Sequence, residues 1–376
     1  MLVEIHILQN FAPSCLNRDD TNTPKTCDFG GYPRARISSQ CTKRAIRTSD
    51  EFKNRLGENI AIRTKRLHQN VKAKLAEADI TDEAVDDIIS NLIAELYSKM
   101  DKKHKDTTSV ALYLSNKEID SIVNAIRDNF TELANKKNKD AAKNLASELK
   151  TKIRDAYAAD IALHGRMMAE KPEFSIDAAC QVAQSISTNK INTEMDFFTA
   201  VDDLLPKGET GAGMMGIVEY NSSCYYRYAN VDLRQLMHNL RNDEDLARRT
   251  LEGFLHGAIM AIPTGKQTSM AANNLPSFVF TVVRDNGLRC SLANAFVKPA
   301  APDYKNSLIE NSADKLDKFW GNIQKAYGSD GIKTMAVCQI GMDKLDILKA
   351  YEVESIKSLI EKTMLAVKFE EQTTEK

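Results

Sequence analysis

The chain has 376 residues, of which 43% are hydrophobic and 27% charged, with a net charge of −1 and a pI near 6.6. That is ample for one large core or two ordinary ones, too apolar for a disordered chain, and too balanced for a uniformly basic nucleic-acid binder. The apolar runs are too short to span a bilayer, and the opening Met1-Leu2-Val3-Glu4-Ile5-His6 lacks the basic segment of a signal peptide. The seven cysteines are odd in number, widely spaced and never in a CxxC pair. Neither a disulfide framework nor a zinc site is expected, and a reducing cytoplasm fits.

Leu2 to Leu8 alternates Val3, Ile5 and Ile7 with Glu4 and His6, which predicts a strand. Gln9 to Ile37, rich in Asn, Asp, Pro and Gly, reads as an irregular loop. Ser38 or Ser39 is a good N-cap for a helix running to about Thr48. Residues 50–170 are helical by composition, with Leu145, Leu149, Ile153 and Ile161 at helical spacing in one long helix and Lys136 to Lys139 as a solvated connection. Strand signals return at Cys180, Val182 and Ile186, then at Ile217 to Val231, with a flexible tip at Lys207 to Gly213 between them. A helix over Asp243 to Ile262 and a strand over Ser277 to Arg284 follow. The C-terminal part adds a strand near Met335 to Ile340 and a helix from Val353 to about Val367.

With the insertion removed, the order is βαββαβ. The fold class expected is therefore α+β, a ferredoxin-like arrangement of the kind RNA-recognition modules use. Gly211-Ala212-Gly213-Met214-Met215-Gly216 matches GxGxxG in letters, but the glycines lead into a strand and not a helix, so no dinucleotide site is expected. The six histidines are scattered without a ligand or triad pattern, so no cofactor and no metal is expected.

The strongest constellation begins at Asn17-Arg18-Asp19-Asp20 and Pro24-Lys25. It continues through Phe29-Gly30-Gly31 to Arg34-Ala35-Arg36-Ile37-Ser38-Ser39-Gln40-Cys41-Thr42-Lys43-Arg44-Ala45-Ile46-Arg47. Gln40, Lys43, Arg44 and Arg47 fall at i, i+3, i+4 and i+7, a single stripe starting at a helix N-terminus. Backbone N–H groups, helix dipole and cations converge there as a phosphate backbone requires. On spacing alone, a solvated basic face accounts for the stripe equally well.

These residues resemble the opening signature of the backbone subunit family of the type I-E CRISPR surveillance complex, Cascade, in the RAMP superfamily. The resemblance continues through Leu163-His164-Gly165-Arg166-Met167 and the stretch Asp196-Phe197-Phe198-Thr199-Ala200-Val201-Asp202-Asp203-Leu204. It runs on in Tyr226-Arg227-Tyr228-Ala229-Asn230-Val231, Pro263-Thr264-Gly265-Lys266-Gln267 and Leu292-Ala293-Asn294-Ala295-Phe296. It is weak over residues 50–155 and at the C-terminus.

The resemblance implies a hand-like molecule. Residues 1–49 and 171–376 form an RRM-like palm, with a thumb β-hairpin at about 199–222, and residues 50–170 form helical fingers. It implies a cytoplasmic, non-catalytic antiviral protein bound to CRISPR guide RNA (crRNA). Copies stack head to tail along the guide with other Cascade subunits and present it to a target DNA strand, with no membrane involved. By the same resemblance Arg18, Lys25, Ser38, Gln40, Lys43, Arg44 and Arg47 contact the guide backbone, Lys266 and Gln267 assist, and Met167 and Phe198 stack on bases beside a kink. Tyr32 and Pro33 depart from a stretch that is often basic in the family. The rival readings are a RAMP-superfamily endoribonuclease using Asp19 or Asp20, or more weakly His6, and a generic single-stranded RNA binder. The aspartates are expected instead to orient Arg18 or Lys25.

Overall fold

A computed structural model describes residues 1–135, 140–154, 157–204, 212–285, 287–342 and 345–369. The elements are β1 (Leu2–Ser14), β2 (Thr26–Phe29), β3 (Tyr32–Ile37), α1 (Ser39–Thr48), α2 (Asp50–Leu56), β4 (Ala61–Thr64), α3 (Leu67–Glu77), α4 (Val85–Leu96), β5 (Leu112–Ser115), α5 (Asn116–Asp128), α6 (Phe130–Ala134), α7 (Ala141–Arg154) and α8 (Ala159–His164). They continue with β6 (Cys180–Val182), β7 (Ser185–Ser187), β8 (Glu194–Val201), β9 (Ala212–Asp232), α9 (Leu233–Asn239), α10 (Glu244–Met260), α11 (Gln267–Met270), β10 (Phe278–Arg284), α12 (Leu308–Tyr327), β11 (Ile332–Gln339) and α13 (Ile356–Ala366). This is an α+β fold, its main sheet ordered β11-β10-β1-β9-β7-β3-β2, with β6 and β8 also paired to β9 and a separate β4-β5 pair. The ladders β1–β9, β1–β10, β10–β11, β2–β3, β3–β7, β4–β5, β7–β9 and β8–β9 are antiparallel. No helix among the described residues is long and apolar enough to cross a membrane.

The chain divides into two compact units. The first comprises Met1–Phe52, Gln181–Asp232 and Glu252–Lys368, and the second Lys53–Cys180 and Leu233–Leu251 with Phe369. Leu233–Leu251 clusters with the second unit although it lies far downstream in sequence. The Asn239 amide donates to the carbonyls of Ala162 and Asp177 at 2.8 Å each, which ties α9 to that unit.

In the first unit the period-two alternation of β1 is real, but both of its faces are buried. Ile5 and Ile7 lie under Ile46 of α1 and Ala258 of α10. Glu4 and His6 face the other way and are fully buried. The Glu4 carboxylate accepts from Arg284 Nε at 2.7 Å, Tyr228 OH at 2.6 Å and Cys290 N–H at 2.7 Å, so a charge inside the sheet layer is fully engaged. His6 stacks between Tyr228 and Phe280, and Phe280 meets Trp320 of α12 edge to face. Helix α12 was not expected from the sequence. Its Ser307–Glu310 capping box was there to read, with Ser307 accepting from the Glu310 N–H and Glu310 from the Ser307 N–H.

β1 also runs six residues past Leu8, and β2 and β3 occupy part of the expected Gln9–Ile37 loop. Phe11, buried against Tyr225, carries the strand onward, and backbone bonds from Lys25 and Arg36 close the loop. The hairpin expected at about 199–222 starts at Glu194, which pairs with Tyr220, and its ladder reaches Val201↔Ala212. The expected tip Lys207 to Gly213 lies outside the described residues except for Ala212 and Gly213, which open β9. The GxGxxG letters thus end inside a strand.

The second unit packs α3, α4, α5 and α7 around buried aliphatic residues such as Val71, Leu92, Ile122 and Leu149, one from each helix. The single long helix expected through Ile161 is broken: Leu145, Leu149 and Ile153 lie on α7, whereas Ile161 lies on α8 and joins a small cluster with Ala61 and Ala158. The β4-β5 pair was masked in sequence by the surrounding helical composition. The expected connection Lys136 to Lys139 lies outside the described residues.

Candidate nucleic-acid interface

The site forms in the first unit around the N-terminus of α1. Ser38 is the N-cap, accepting from Cys41 N–H at 3.3 Å. It is buried and its own N–H donates to the Asn17 side chain at 2.8 Å. The Asn17 carbonyl in turn accepts from Lys25 N–H at 2.9 Å, and the Lys25 carbonyl accepts from Arg36 N–H at 2.9 Å. Asn17, absent from the contacts expected of the sequence, therefore clamps the Arg18–Lys25 loop to the start of the helix. Thr42 and Ile46 are the buried positions of α1, while Gln40 and Arg44 are exposed and Lys43 and Arg47 half-buried. The stripe is thus an outward face. The inner face of α1 lies so close to α10 that a Cβ on Gly257 would come 3.0 Å from Ile46 Cγ2.

Arg18 is exposed and donates to Asn22 Oδ1 at 2.5 Å. In the observed bonds Asp19 orients neither Arg18 nor Lys25. Its carboxylate accepts from the hydroxyls and N–H groups of Thr21 and Thr23 at 2.8–3.0 Å, closing the loop on itself. Those bonds, led by the Thr21 hydroxyl, hold its pKa down to about 2. Asp20 is exposed beside it. Arg18, Asp19, Asp20 and Arg44 line one cleft of about 850 Å³ with the segment Met260–Gly265. Gly265 is required there because a Cβ would sit 2.3 Å from the Leu16 carbonyl oxygen.

Lys266 follows in the left-handed region, φ 53°. It lines a second cleft, about 630 Å³, with Phe198, Val218, Tyr220 and Met270. Phe198 stands in the middle of the hairpin ladder and not at its base. The Gln267 amide is committed to its own loop, donating to the carbonyls of Pro263 at 3.3 Å and Ala272 at 3.2 Å. Met167 belongs to the second unit, where it is 87% exposed next to Arg166, whose guanidinium is buried on Glu118 at 2.7 Å.

Two cations of the motif are not on the face. Arg34 is fully buried, with Nη1 and Nη2 donating to the carbonyls of Ser187, Thr188 and Phe296 at 2.6–3.0 Å. Arg36 donates to Thr26 O and Gln184 Oε1. The alternation of β3 gives no sign of this, since Arg34 shares its strand face with Tyr32 and Arg36; its burial comes from carbonyls distant in sequence. His6 is buried and its pKa is pushed down to about 3, chiefly by desolvation, so it is neutral and out of reach of any external substrate. Among the described residues no group of three or more His, Cys, Asp or Glu side chains is placed to hold a metal ion.

A model of the CT1975-like protein family matches residues 3–362. The chain belongs to that family. The match covers nearly the whole chain, including the weakly recognisable residues 50–155. The CT1975-like chain also superposes on a chain of a solved "CRISPR RNA-guided surveillance complex, pre-nicking", with 28% identity and a TM-score of 0.85 over 97% of this chain and 100% of that one. A chain of another "CRISPR RNA-guided surveillance complex" shares the fold, with 24% identity and a TM-score of 0.75 over 98% of this chain and 100% of the other. A search of curated protein sequences gave no significant match.

Proposed function

We propose that this protein is a non-catalytic backbone subunit of a type I-E Cascade complex. In this reading it coats CRISPR guide RNA as a head-to-tail series of copies, together with other subunits in the cytoplasm, and presents the guide for pairing with target DNA. The observation that carries the reading is the full-length likeness, at 28% identity, to a chain of an RNA-guided surveillance complex. The strand order β10-β1-β9-β7 supports an RRM-like palm, with the β8–β9 hairpin as thumb and the helices around α3–α7 as fingers.

The local geometry agrees. An outward stripe of Gln40, Lys43 and Arg44 adjoins a cleft holding Arg18, and Lys266 adjoins Phe198 across the next cleft. This suits a strand whose phosphates follow the cations while bases meet the ring. The absence of catalysis is part of the proposal: Asp19 is engaged in its own loop and His6 lies in the core. The test is native mass spectrometry of complexes assembled on guides of increasing length. Subunits should add in steps, because a heterologous contact that does not close follows the RNA. A fixed oligomer at every length, or cleavage of complementary RNA lost in Asp19→Ala, would reverse the reading.

A further inference from the structure

The second unit holds one apolar side chain out in solvent by means of a buried ion pair. Met167 is 87% exposed, and among the described residues it is the one large hydrophobic side chain exposed between Val110 and Met195. Its neighbours Arg166 and Met168 are both buried. The loop that carries it is pinned on both sides of it. Arg166 N–H donates to the Ile176 carbonyl at 2.9 Å and Ile176 N–H to the Arg166 carbonyl at 2.8 Å, while Met168 N–H donates to Ser175 Oγ at 3.0 Å. Gly165 turns the chain out of α8 at φ 76°, where a Cβ would stand 2.9 Å from the Ile176 carbonyl oxygen.

The Arg166 side chain fixes the loop to α5. Its Nε donates to the Phe174 carbonyl at 2.9 Å, and its Nη1 to the Tyr113 carbonyl at 3.1 Å and to the Glu118 carboxylate at 2.7 and 3.0 Å. Glu118 is itself fixed. It is fully buried, and its carboxylate also accepts from Ser115 N–H at 2.6 Å in the capping box that starts α5. Apolar residues of the same volume hold an interior together as well as such a pair, so stability alone does not account for it. What the pair supplies is direction: bonds of set length and angle, running from the helix to the residue beside Met167.

We propose that Glu118 is a positioning residue for the guide contact: through Arg166 it holds Met167 at the angle at which its side chain meets the bases of the RNA. The inference deepens the guide-RNA reading and rests on it. An apolar side chain standing alone, methionine among them, is what nucleic-acid-binding proteins wedge against bases. A protein partner needs a wider apolar centre, and the exposed residues that follow Met167 include Glu170, Glu173 and Ser175. Held in place before the RNA arrives, the wedge loses little freedom on binding.

The test is a double-mutant cycle on the full chain, read on guide RNA carrying 2-aminopurine at successive positions. Glu118→Gln keeps an acceptor for the capping bond but removes the charge that holds Arg166. It should bind the guide at least about twofold more weakly, the lower end of coupling between residues that act as a unit. It should also change the fluorescence at the same guide positions as Met167→Ala. In the Met167→Ala background Glu118→Gln should cost no further affinity, although the melting temperature falls equally in both backgrounds. Should Glu118→Gln fold poorly, Glu118→Leu with Arg166→Met refills the interior without the directed bonds and should show the same cycle. Equal losses of affinity in the two backgrounds overturn the inference and leave Glu118 a structural residue. Wild-type affinity in Met167→Ala, with guide uptake intact, overturns it too and leaves the guide-RNA reading standing. A wild-type chain that takes up no guide RNA ends that reading, and the inference with it.

Discussion

The ring of Phe198 lies over Gly216: the two residues face each other in the β8–β9 ladder, and a Cβ built on Gly216 would stand 2.4 Å from the ring's Cζ. The missing side chain is what lets the ring lie flat across the partner strand and border the cleft with Lys266.

If that ring stacks on bases, Gly216→Ala should act like a milder Phe198→Ala. Phe198→Ala should lose a contact of about 1–3 kcal/mol per base, read as weaker guide-RNA binding by fluorescence anisotropy. Gly216→Ala should lose affinity in the same direction by tilting the ring. Both should melt within a few degrees of wild type, because the ring is partly exposed. RNA affinity equal to wild type in both variants would remove Phe198 from the interface.

Lys43→Ala with Arg44→Ala should weaken RNA binding without unfolding the protein, since Arg44 is exposed and Lys43 half-buried while the helix is held by Thr42 and Ile46. Two lost phosphate contacts should flatten the salt dependence by roughly 0.7 each for a single strand. A parallel line of log K against log salt would clear these residues of any phosphate contact.

Glu4→Gln should be severely destabilising. It leaves the Arg284 guanidinium buried without its carboxylate, a change that costs about 3–5 kcal/mol where a buried pair loses one partner. Urea unfolding measures it directly. A loss under about 1 kcal/mol would mean that the charge of Glu4 contributes little.

His6 sets an acid limit on stability. Its pKa falls from 6.5 to about 3 on folding, mainly through burial, so the unfolded chain binds more protons between those values and stability drops as pH falls below 6.5. From pH 7 to pH 5 the loss from this one group is about 2 kcal/mol. His6→Gln should lower stability at neutral pH but show a shallower decline toward pH 5. An identical pH slope in the variant would assign the acid sensitivity elsewhere.

Elements set by local signals are legible in the sequence alone. Ser38 as cap, the outward stripe of α1, and the strands at Leu2 and Phe278 follow from capping and period. What escapes depends on partners distant in sequence. Burial of Glu4 needs Arg284 and Tyr228, and burial of Arg34 needs carbonyls from Ser187 and Phe296. The β4-β5 pair has only four residues per strand and sits inside helical composition. Asn17 reads as one more polar loop residue; its clamp role exists only once Ser38 and Lys25 are folded beside it.

The β8–β9 hairpin has a second face, and it shapes how the protein can be handled. Met195, Phe197, Met215 and Ile217 share that side of the ladder, and all four are exposed. Among the described residues β8 pairs with β9 alone, so its outer row of backbone donors and acceptors is open. A sticky side and an unpaired edge on one ribbon invite self-association. Chain expressed by itself should therefore precipitate at concentrations where co-expressed partners keep it in solution, and yield, more than activity, becomes the first sign that those partners are present.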